Sequence, residues 1–475
     1  MADDRSTTAH NCSRGELGQS PLGFDIQRVF DITIAKSPTL GNLTMSPFKL
    51  AEAGANLEAD KDISEPQAKS DTFQEGGMAG WMTVLGASLA LFSTFGAALS
   101  FGVFQDYYTR VSLSEHSPST ISWIGSTQLF LDFSIGLPAG RLFDAGYFRS
   151  LMLVGSGIYL FSYFMLSISQ PHQYYQVFLS QGIGMGVGMG LVIVPSVSVP
   201  SQYFRARRST AMGIVFVGSS IGGIIFPVMI NKLVNGRLGF AWGVRASAFL
   251  MLGLLVISNL IMRPRYVARS MAADRPSVLS LAKDVPYVIA ITGSSLIFWG
   301  LFFPYFYLQL FAVIRGVEEG LAFFSLTVMN AATVFGRTVP NYFADKYGAF
   351  NVAIPMTTVS GVLVFSMFGL RSAASVFILA VLYGFFSGAF ISLLAAIMAA
   401  FSRSPSEVGT RIGFGMFIIG FALLTGTPIT GALLNAPGYT WDRAIIFSGV
   451  VILVGVALLV VSRSMATKQK GTWRI

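Results

Sequence analysis

Apolar and polar residues alternate along this chain in long blocks. After Gly77, apolar runs of about 20 to 28 residues are separated by short polar links, and each run is long enough to cross a bilayer as a helix. The pattern predicts an all-α membrane protein with twelve transmembrane helices, at residues 79–103, 119–140, 149–169, 173–199, 209–231, 239–262, 285–311, 321–342, 349–370, 373–400, 412–434 and 441–463.

The links divide these runs into two sets of six. The longest internal link, residues 263–284, separates an N-terminal half (78–262) from a C-terminal half (285–463), and a short tail follows at 464–475. Residues 1–77 differ from both halves: they hold 12 of the 23 acidic residues and lack an apolar run of spanning length. This composition predicts a mostly disordered N-terminal tail.

Lys and Arg residues set the predicted orientation. Most of them lie in the links after even-numbered runs, notably "FRARRS" (204–209) and the link from Arg263 to Arg275. Because positively charged loops stay on the cytosolic side, both tails are predicted to be cytosolic. A site for anionic lipid headgroups is the alternative use of these charges. The predicted location is the plasma membrane, with the vacuole or another internal membrane as the alternative.

Composition excludes several classes of function. With 53% hydrophobic and 12% charged residues, the chain is not an ordinary soluble protein. The net charge of +9 is spread over many short links, so it does not predict nucleic-acid binding. Cys12 is the only cysteine, and the sequence shows no metal cluster, no nucleophile with its base and no phosphate loop. We therefore expect no enzyme, cofactor or metal site.

A glycine run, "GIGMGVGMG" (182–190), superficially matches a dinucleotide-binding loop. It lies inside a predicted helix with no strand before it. Close packing of helices is therefore the predicted role of these glycines.

One phrase occurs twice. "GLPAGRLFDAGYFR" (136–149) follows the second run, and "FGRTVPNYFADKYG" (335–348) follows the eighth. Recurrence at matching points of two halves predicts a duplicated transporter whose halves rock about a midplane site. Each aspartate can pair with an arginine or with the N-terminus of a neighbouring helix and so latch one state. The candidate gating residues are Asp144, Arg141, Arg149, Asp345 and Lys346.

Longer phrases resemble the major facilitator superfamily over residues 76 to 463, and more closely its monocarboxylate porter branch, especially fungal members. The phrases include "YFRARRSTAMGIVFVGSSIGG" (203–223), "GLFFPYFYLQLFA" (300–312), "NAATVFGRTVPNYFADKYGAFN" (330–351) and "GTRIGFGMF" (409–417). The resemblance implies secondary active transport of a small organic metabolite by alternating access. In proton-coupled animal members, a lysine and an aspartate carry the proton and the carboxylate. Leu99 and Thr333 stand at or beside those positions here, and only Arg337 remains.

Arg337 is the first candidate for binding cargo. It lies eight residues before Asp345, or roughly 12 Å along a helix. A buried arginine is costly in a membrane, and its planar fork suits a carboxylate. The alternative is an arginine bonded to carbonyls at a helix end as part of the fold. The aromatic stretch "FWGLFFPYFYLQ" (298–309) predicts a kink at Pro304 and either a cavity wall or helix packing. The candidate substrate contacts are Arg337, Phe302, Tyr305 and Asn330.

Asp132 is the candidate for proton coupling. It lies 12 residues before Asp144, roughly 18 Å along the helix and near the midplane. A carboxyl group buried there can load and release a proton during the cycle. The alternative is a structural aspartate between helices that is either protonated or held by hydrogen bonds.

These features predict a transporter in the lipid bilayer whose partner is an organic anion, with protons as the candidate coupling ion. The two departures from the animal members and the aromatic seventh run favour a larger, less polar cargo, such as a secondary metabolite exported by a fungus. Uptake of a small monocarboxylate and a membrane receptor that binds a metabolite without moving it are the alternatives.

Overall fold

The computed structural model describes residues 75–234, 236–265, 278–404, 407–434 and 440–474. The described residues form helices joined by turns and short links, without a β-strand among them. Nearly all of the predicted N-terminal tail (1–77) and the middle of the predicted central link (263–284) lie outside the described residues. The helical bundle belongs to one compact unit, Phe73–Ile475.

The described part of the N-terminal half contains nine α-helices. Three π-helical segments, Phe92–Gly96, Tyr108–Ser112 and Phe178–Met185, extend or join them. The α-helices are α1 (Gly77–Leu91), α2 (Phe101–Tyr107), α3 (Pro118–Ser134), α4 (Gly136–Asp144), α5 (Phe148–Leu166), α6 (Tyr174–Val177), α7 (Gly186–Ser198), α8 (Arg208–Val234) and α9 (Gly239–Ile261).

The described part of the C-terminal half has fewer interruptions. It contains α10 (Val278–Ala282), α11 (Val285–Leu301), α12 (Phe303–Ile314), α13 (Glu319–Tyr347), α14 (Ala349–Phe365), α15 (Ala373–Ala400), α16 (Val408–Leu434) and α17 (Trp441–Lys470).

Ten helical segments of the described chain are long and apolar enough to cross a membrane. The stretch α3–α4 and helix α13 are not among the ten. Helices α3 and α4 pack against α16 and α7, and α13 packs against α15 and α8. The predicted count of twelve spans stays a prediction for these two, which carry Asp132 and Arg337.

Several helices extend beyond the predicted runs. The first predicted run ends at residue 103, and helical structure continues to Ser112, past an irregular turn at Leu99–Ser100. This extension contains polar residues such as Gln105 and Asp106. In the seventh run, the helix breaks at Phe302 and Pro304 lies in the first turn of α12, so the predicted kink is confirmed.

The predicted role of the glycine run is confirmed. A Cβ atom at Gly188 of α7 would lie 2.6 Å from the backbone nitrogen of Tyr159 on α5. A Cβ atom at Gly190 would come within 2.8 Å of the Asp132 carbonyl oxygen on α3. These glycines let three helices of the N-terminal half approach one another closely.

Glycines also join the two halves. A Cβ atom at Gly140 of α4 would lie 2.1 Å from the carbonyl oxygen of Gly409 on α16. One at Gly413 would lie 2.1 Å from the carbonyl oxygen of Gly136. Helices α4 and α16, which come from different halves, are therefore in direct backbone contact.

Gly140→Ala is expected to separate these helices, because the added methyl group overlaps the Gly409 carbonyl. Overpacking of this kind costs about 1 to 3 kcal/mol, which lowers the population of the packed arrangement relative to the separated one by about 5- to 150-fold. The measurement is an electron paramagnetic resonance distance between spin labels at Tyr147 and Arg403, both exposed, in a Cys12→Ser background.

Gly157→Ala on α5 is the matched control, because a Cβ atom there meets nothing within 4 Å. The label distance should lengthen in Gly140→Ala and stay unchanged in the control. An unchanged distance in both variants would contradict the proposed contact.

Candidate functional site

Asp144 and Asp345 each cap a helix of the other half. The carboxylate of Asp144 accepts hydrogen bonds from the Gly409 nitrogen at 3.0 Å and the Thr410 nitrogen at 2.5 Å, at the start of α16. That of Asp345 accepts from the Ser209 and Thr210 nitrogens at 2.6 and 2.8 Å, at the start of α8. The structure shows a helix N-terminus as a partner of each aspartate, where unpaired N–H groups favour a negative charge. Asp345 also interacts electrostatically with Arg208 at the start of α8. We call the end of the bundle that carries both aspartates the latched end.

A buried ion-pair network supports the latch at α16. The Arg411 guanidinium donates to the Asp284 carboxylate at 2.9 Å and to the Glu407 carboxylate at 3.1 Å, and its side chain is 4% exposed. The Tyr287 hydroxyl donates to the Arg411 carbonyl oxygen. This network ties the first turn of α16 to the start of α11. Sequence reasoning missed it, although Arg411 lies within the phrase "GTRIGFGMF".

The basic residues predicted as gating residues, Arg141, Arg149 and Lys346, do not lie in the same kind of environment as the aspartates. Arg141 and Lys346 are exposed, and the ammonium group of Lys346 lies 5.6 Å from the ring centre of Tyr347. Arg149 donates to the Asn259 carbonyl oxygen at 3.0 Å, within the same half. Arg149 therefore stabilises its own half, whereas the aspartates and the glycine contacts of α4 and α16 join the halves at the latch.

Arg337 of α13 faces α8. Its side chain is 1% exposed, and Nη1 donates to the Phe216 carbonyl oxygen at 2.7 Å and to the Ser219 hydroxyl. The guanidinium also lies 5.9 Å from the ring centre of Phe216, whereas Nε has no hydrogen-bond partner in the described chain. No described carboxylate lies within 4.0 Å of the guanidinium. In this state Arg337 is a buried cation held by neutral groups of the other half.

Further hydrogen bonds continue along α8 and α13. Thr333 donates to the Ser220 hydroxyl at 2.6 Å, and the Asn330 amide donates to the Gly223 carbonyl oxygen at 3.2 Å. The bond between Thr333 and Ser220 is thus a neutral contact between the two halves. Asn330, a predicted substrate contact, also bridges the halves in this state.

A cavity lies between the halves, away from the latched end. It contacts α3 as far as Leu129, which is 15 residues before Asp144, or roughly 22 Å along α3 and α4. The space unfilled by atoms amounts to about 910 Å³, including the part open to solvent. The predicted contacts Phe302 and Tyr305 line it, and so does Leu99.

The cavity wall is aromatic and uncharged. Phe101, Phe302 and Phe306 supply rings, and Phe302 lies 5.9 Å from Phe306 between ring centres. Three glutamines from different helices, Gln105, Gln128 and Gln309, are also lining residues. The described lining residues include no Asp, Glu, Lys, Arg or His. Such a wall suits a flat, apolar body with neutral oxygen substituents.

Tyr305 connects the cavity to Arg337. It lines the cavity, and its hydroxyl forms a 3.0 Å hydrogen bond with the Ser387 hydroxyl of α15. It also interacts electrostatically with Arg337. Arg337 itself is not a lining residue in this state.

Asp132 is fully buried in α3, and neither carboxyl oxygen has a hydrogen-bond partner in the described chain. It interacts electrostatically with Tyr159 of α5 and does not line the cavity, whereas Gln128, one turn earlier, does. Burial without a partner favours the neutral acid over the carboxylate. The hydrogen-bonded form of the structural alternative is therefore not observed among the described residues, whereas a protonated structural aspartate and a proton-coupling residue both fit this burial.

Comparison with known proteins identifies the family to which this chain belongs. The family model of the Major Facilitator Superfamily matches residues 77–370. The Aspyridones efflux protein apdF of Emericella nidulans is 40% identical over 402 residues, which cover 84% of this chain and 81% of that protein. The Fujikurins efflux protein of Gibberella fujikuroi is 35% identical over 427 residues, covering 88% and 90%.

Solved structures share the fold. The human organic anion transporter MFSD10 (TETRAN) superposes with a TM-score of 0.64 at 15% identity, over 80% of this chain and 98% of that chain. The E. coli fucose:proton symporter FucP superposes with a TM-score of 0.62, also at 15% identity and with the same coverage. The chain thus belongs to the Major Facilitator Superfamily and is a multi-pass membrane transporter.

Proposed function

We propose that this transporter exports a carboxylated secondary metabolite from a fungal cell. The observation that carries the proposal is the buried guanidinium of Arg337, which has no acidic partner among the described residues. It lies beside a cavity between the two halves whose described lining residues are uncharged. A cation in that setting needs an anion at some stage of the cycle, and a cargo carboxylate supplies one. The names of the two fungal relatives, both efflux proteins, support export.

The cargo has two parts in this proposal. Its apolar body packs against Phe302 and Phe306, with neutral oxygen substituents on the amides of Gln105, Gln128 and Gln309. Its carboxylate binds Arg337 once α8 has moved away. The aromatic wall and Leu99 favour a larger cargo than lactate-type acids. The fungal monocarboxylate porter branch is the finer family we propose, and the activity is transport without catalysis.

With cytosolic termini, the latched end is the cytosolic end, and the structure is closed to the cytosol. Cargo then enters while both latches are open and leaves through the far end after they close. We propose the plasma membrane as the location, because export there removes the metabolite from the cell.

Tags at Met1 and Ile475 should both be protected from external protease in intact cells, because the Lys and Arg residues favour cytosolic links at that end. A tag in the link at Arg315, at the far end, should be cleaved. The measurement is immunoblotting after protease treatment, with permeabilised cells as the control. Cleavage of either terminal tag in intact cells would overturn the orientation.

An untargeted metabolite comparison tests the function. In cells that lack the gene, at least one acidic metabolite should rise inside and fall in the medium. The opposite distribution would indicate uptake of an acid. An unchanged distribution, together with binding of an acid to the purified protein, would indicate a receptor.

A further inference from the structure

Arg337 belongs to the C-terminal half, but its hydrogen-bond acceptors belong to the N-terminal half. The Phe216 carbonyl oxygen and the Ser219 hydroxyl are both carried by α8. These bonds therefore exist only while α8 and α13 are in contact. In a transporter whose halves rock, that contact breaks when the latched end opens.

The contact leaves little room for adjustment. A Cβ atom at Gly213 of α8 would lie 2.3 Å from the Arg337 carbonyl oxygen and 2.9 Å from Cβ of Asn341. Because the two helices touch at this level, a small separation is enough to remove both acceptors from the guanidinium. The latch controls this separation, because Asp345, roughly 12 Å further along α13, holds the first turn of α8.

The acceptors on α8 are weak partners for a cation. They are uncharged, and the bonds described above use only Nη1, although a guanidinium has five N–H donors. A carboxylate can accept two parallel hydrogen bonds from the same fork and also neutralises the charge. A cargo carboxylate therefore binds Arg337 more strongly than α8 does, as long as α8 is away.

This inference rests on the proposed function. We propose that the Phe216 carbonyl and the Ser219 hydroxyl compete with the cargo carboxylate for Arg337. When the latched end closes, this competition releases the cargo. While the latch is open, the guanidinium is free and takes the carboxylate. When the latch closes, α8 returns its two acceptors and Asp345 holds them in place.

The uncharged cavity makes the discharge effective. Once α8 has taken the guanidinium, no basic side chain among the described lining residues retains the anion. The cargo is then held only by its apolar body and neutral substituents, and it leaves through the open far end. The affinity for the cargo is therefore high while the latched end is open and low while the far end is open, as an exporter requires. Ser219 acts through Arg337 and is a positioning residue.

The test uses purified full-length protein, with 2-naphthoate and its methyl ester as probes. Spin labels at Tyr147 and Arg403 report opening of the latched end. In wild type, 2-naphthoate should lengthen the distance in a saturable manner because it competes with α8, and the ester should not. Ser219→Ala removes one acceptor for a charged donor, so its titration midpoint should fall about tenfold.

Ser247→Ala is the matched control, because this buried serine donates to the Gly243 carbonyl of its own helix at 3.0 Å. Its midpoint should equal that of wild type. In proteoliposomes, Ser219→Ala should lower both KM and maximal rate for 2-naphthoate about tenfold, since release slows. A merely structural serine would lower the amount of folded protein and leave KM unchanged.

Three results would overturn the competition: no response of wild type to 2-naphthoate, an equal response to acid and ester, or a wild-type midpoint in Ser219→Ala. Failure of the proposed export gives a different result. The metabolite distribution between cells and medium would then not change, even where the acid still opens the purified protein.

Discussion

Arg337→Gln is expected to abolish the preference for an acid over its methyl ester and nearly to eliminate specific transport. The variant keeps hydrogen-bonding capacity but loses the charge and the planar fork that receive the carboxylate. Arg337→Lys keeps the charge without the fork, so affinity for the acid should fall by about 1 to 3 kcal/mol. The measurement is binding of the exported metabolite and its methyl ester to purified protein.

The amount of folded protein must be compared first, because Arg337 also bonds to α8 in the latched state. Arg315→Gln is the matched control, since Arg315 lies at the far end of the bundle and is exposed. If Arg337 serves only the fold, both variants should give less protein with unchanged affinity. An Arg337→Gln protein that still distinguishes acid from ester as wild type does would remove the carboxylate role and leave gating.

Asp132→Asn is expected to abolish export against a concentration gradient while exchange of cargo across the membrane continues. An amide resembles the neutral acid that this buried site favours, but it cannot release a proton. Cargo would then cross the membrane without being coupled to the movement of protons. The measurement compares pH-driven accumulation with cargo exchange in proteoliposomes.

Asp106→Asn supplies the matched control, because Asp106 is exposed and pairs with Arg110 on the surface. That variant should accumulate cargo as wild type does. Retained pH-driven accumulation in Asp132→Asn would exclude Asp132 from coupling. Loss of exchange as well, with normal amounts of folded protein, would indicate a structural role in the N-terminal half.

The features that the sequence predicted well depend on local chemistry. Long apolar runs can only be satisfied as helices in a bilayer, so the all-α architecture follows from their length. Pro304 breaks the seventh run for reasons confined to its own turn. The glycines from Gly182 to Gly190 lie inside a predicted helix, where their expected role is close helix packing, and the structure shows that packing. These inferences needed no knowledge of which helices are neighbours.

The features that the sequence could not predict depend on contacts between distant segments. The Arg411 network joins Asp284 and Glu407, which only the packing of α11 against α16 brings together. The partners of Arg337 are a backbone carbonyl and a serine of α8, and neither has a distinctive pattern. The sequence left two partners open for Asp144, and the structure places the start of α16 against it.

Transport by the purified protein alone tests the central claim most directly. Proteoliposomes that contain only this protein would be given the acidic metabolite whose distribution depends on the gene, and its movement across the bilayer would be measured. We expect saturable transport of the acid, weak transport of its methyl ester, and loss of specific transport in Arg337→Gln. Binding of the acid without any movement across the bilayer would contradict the account.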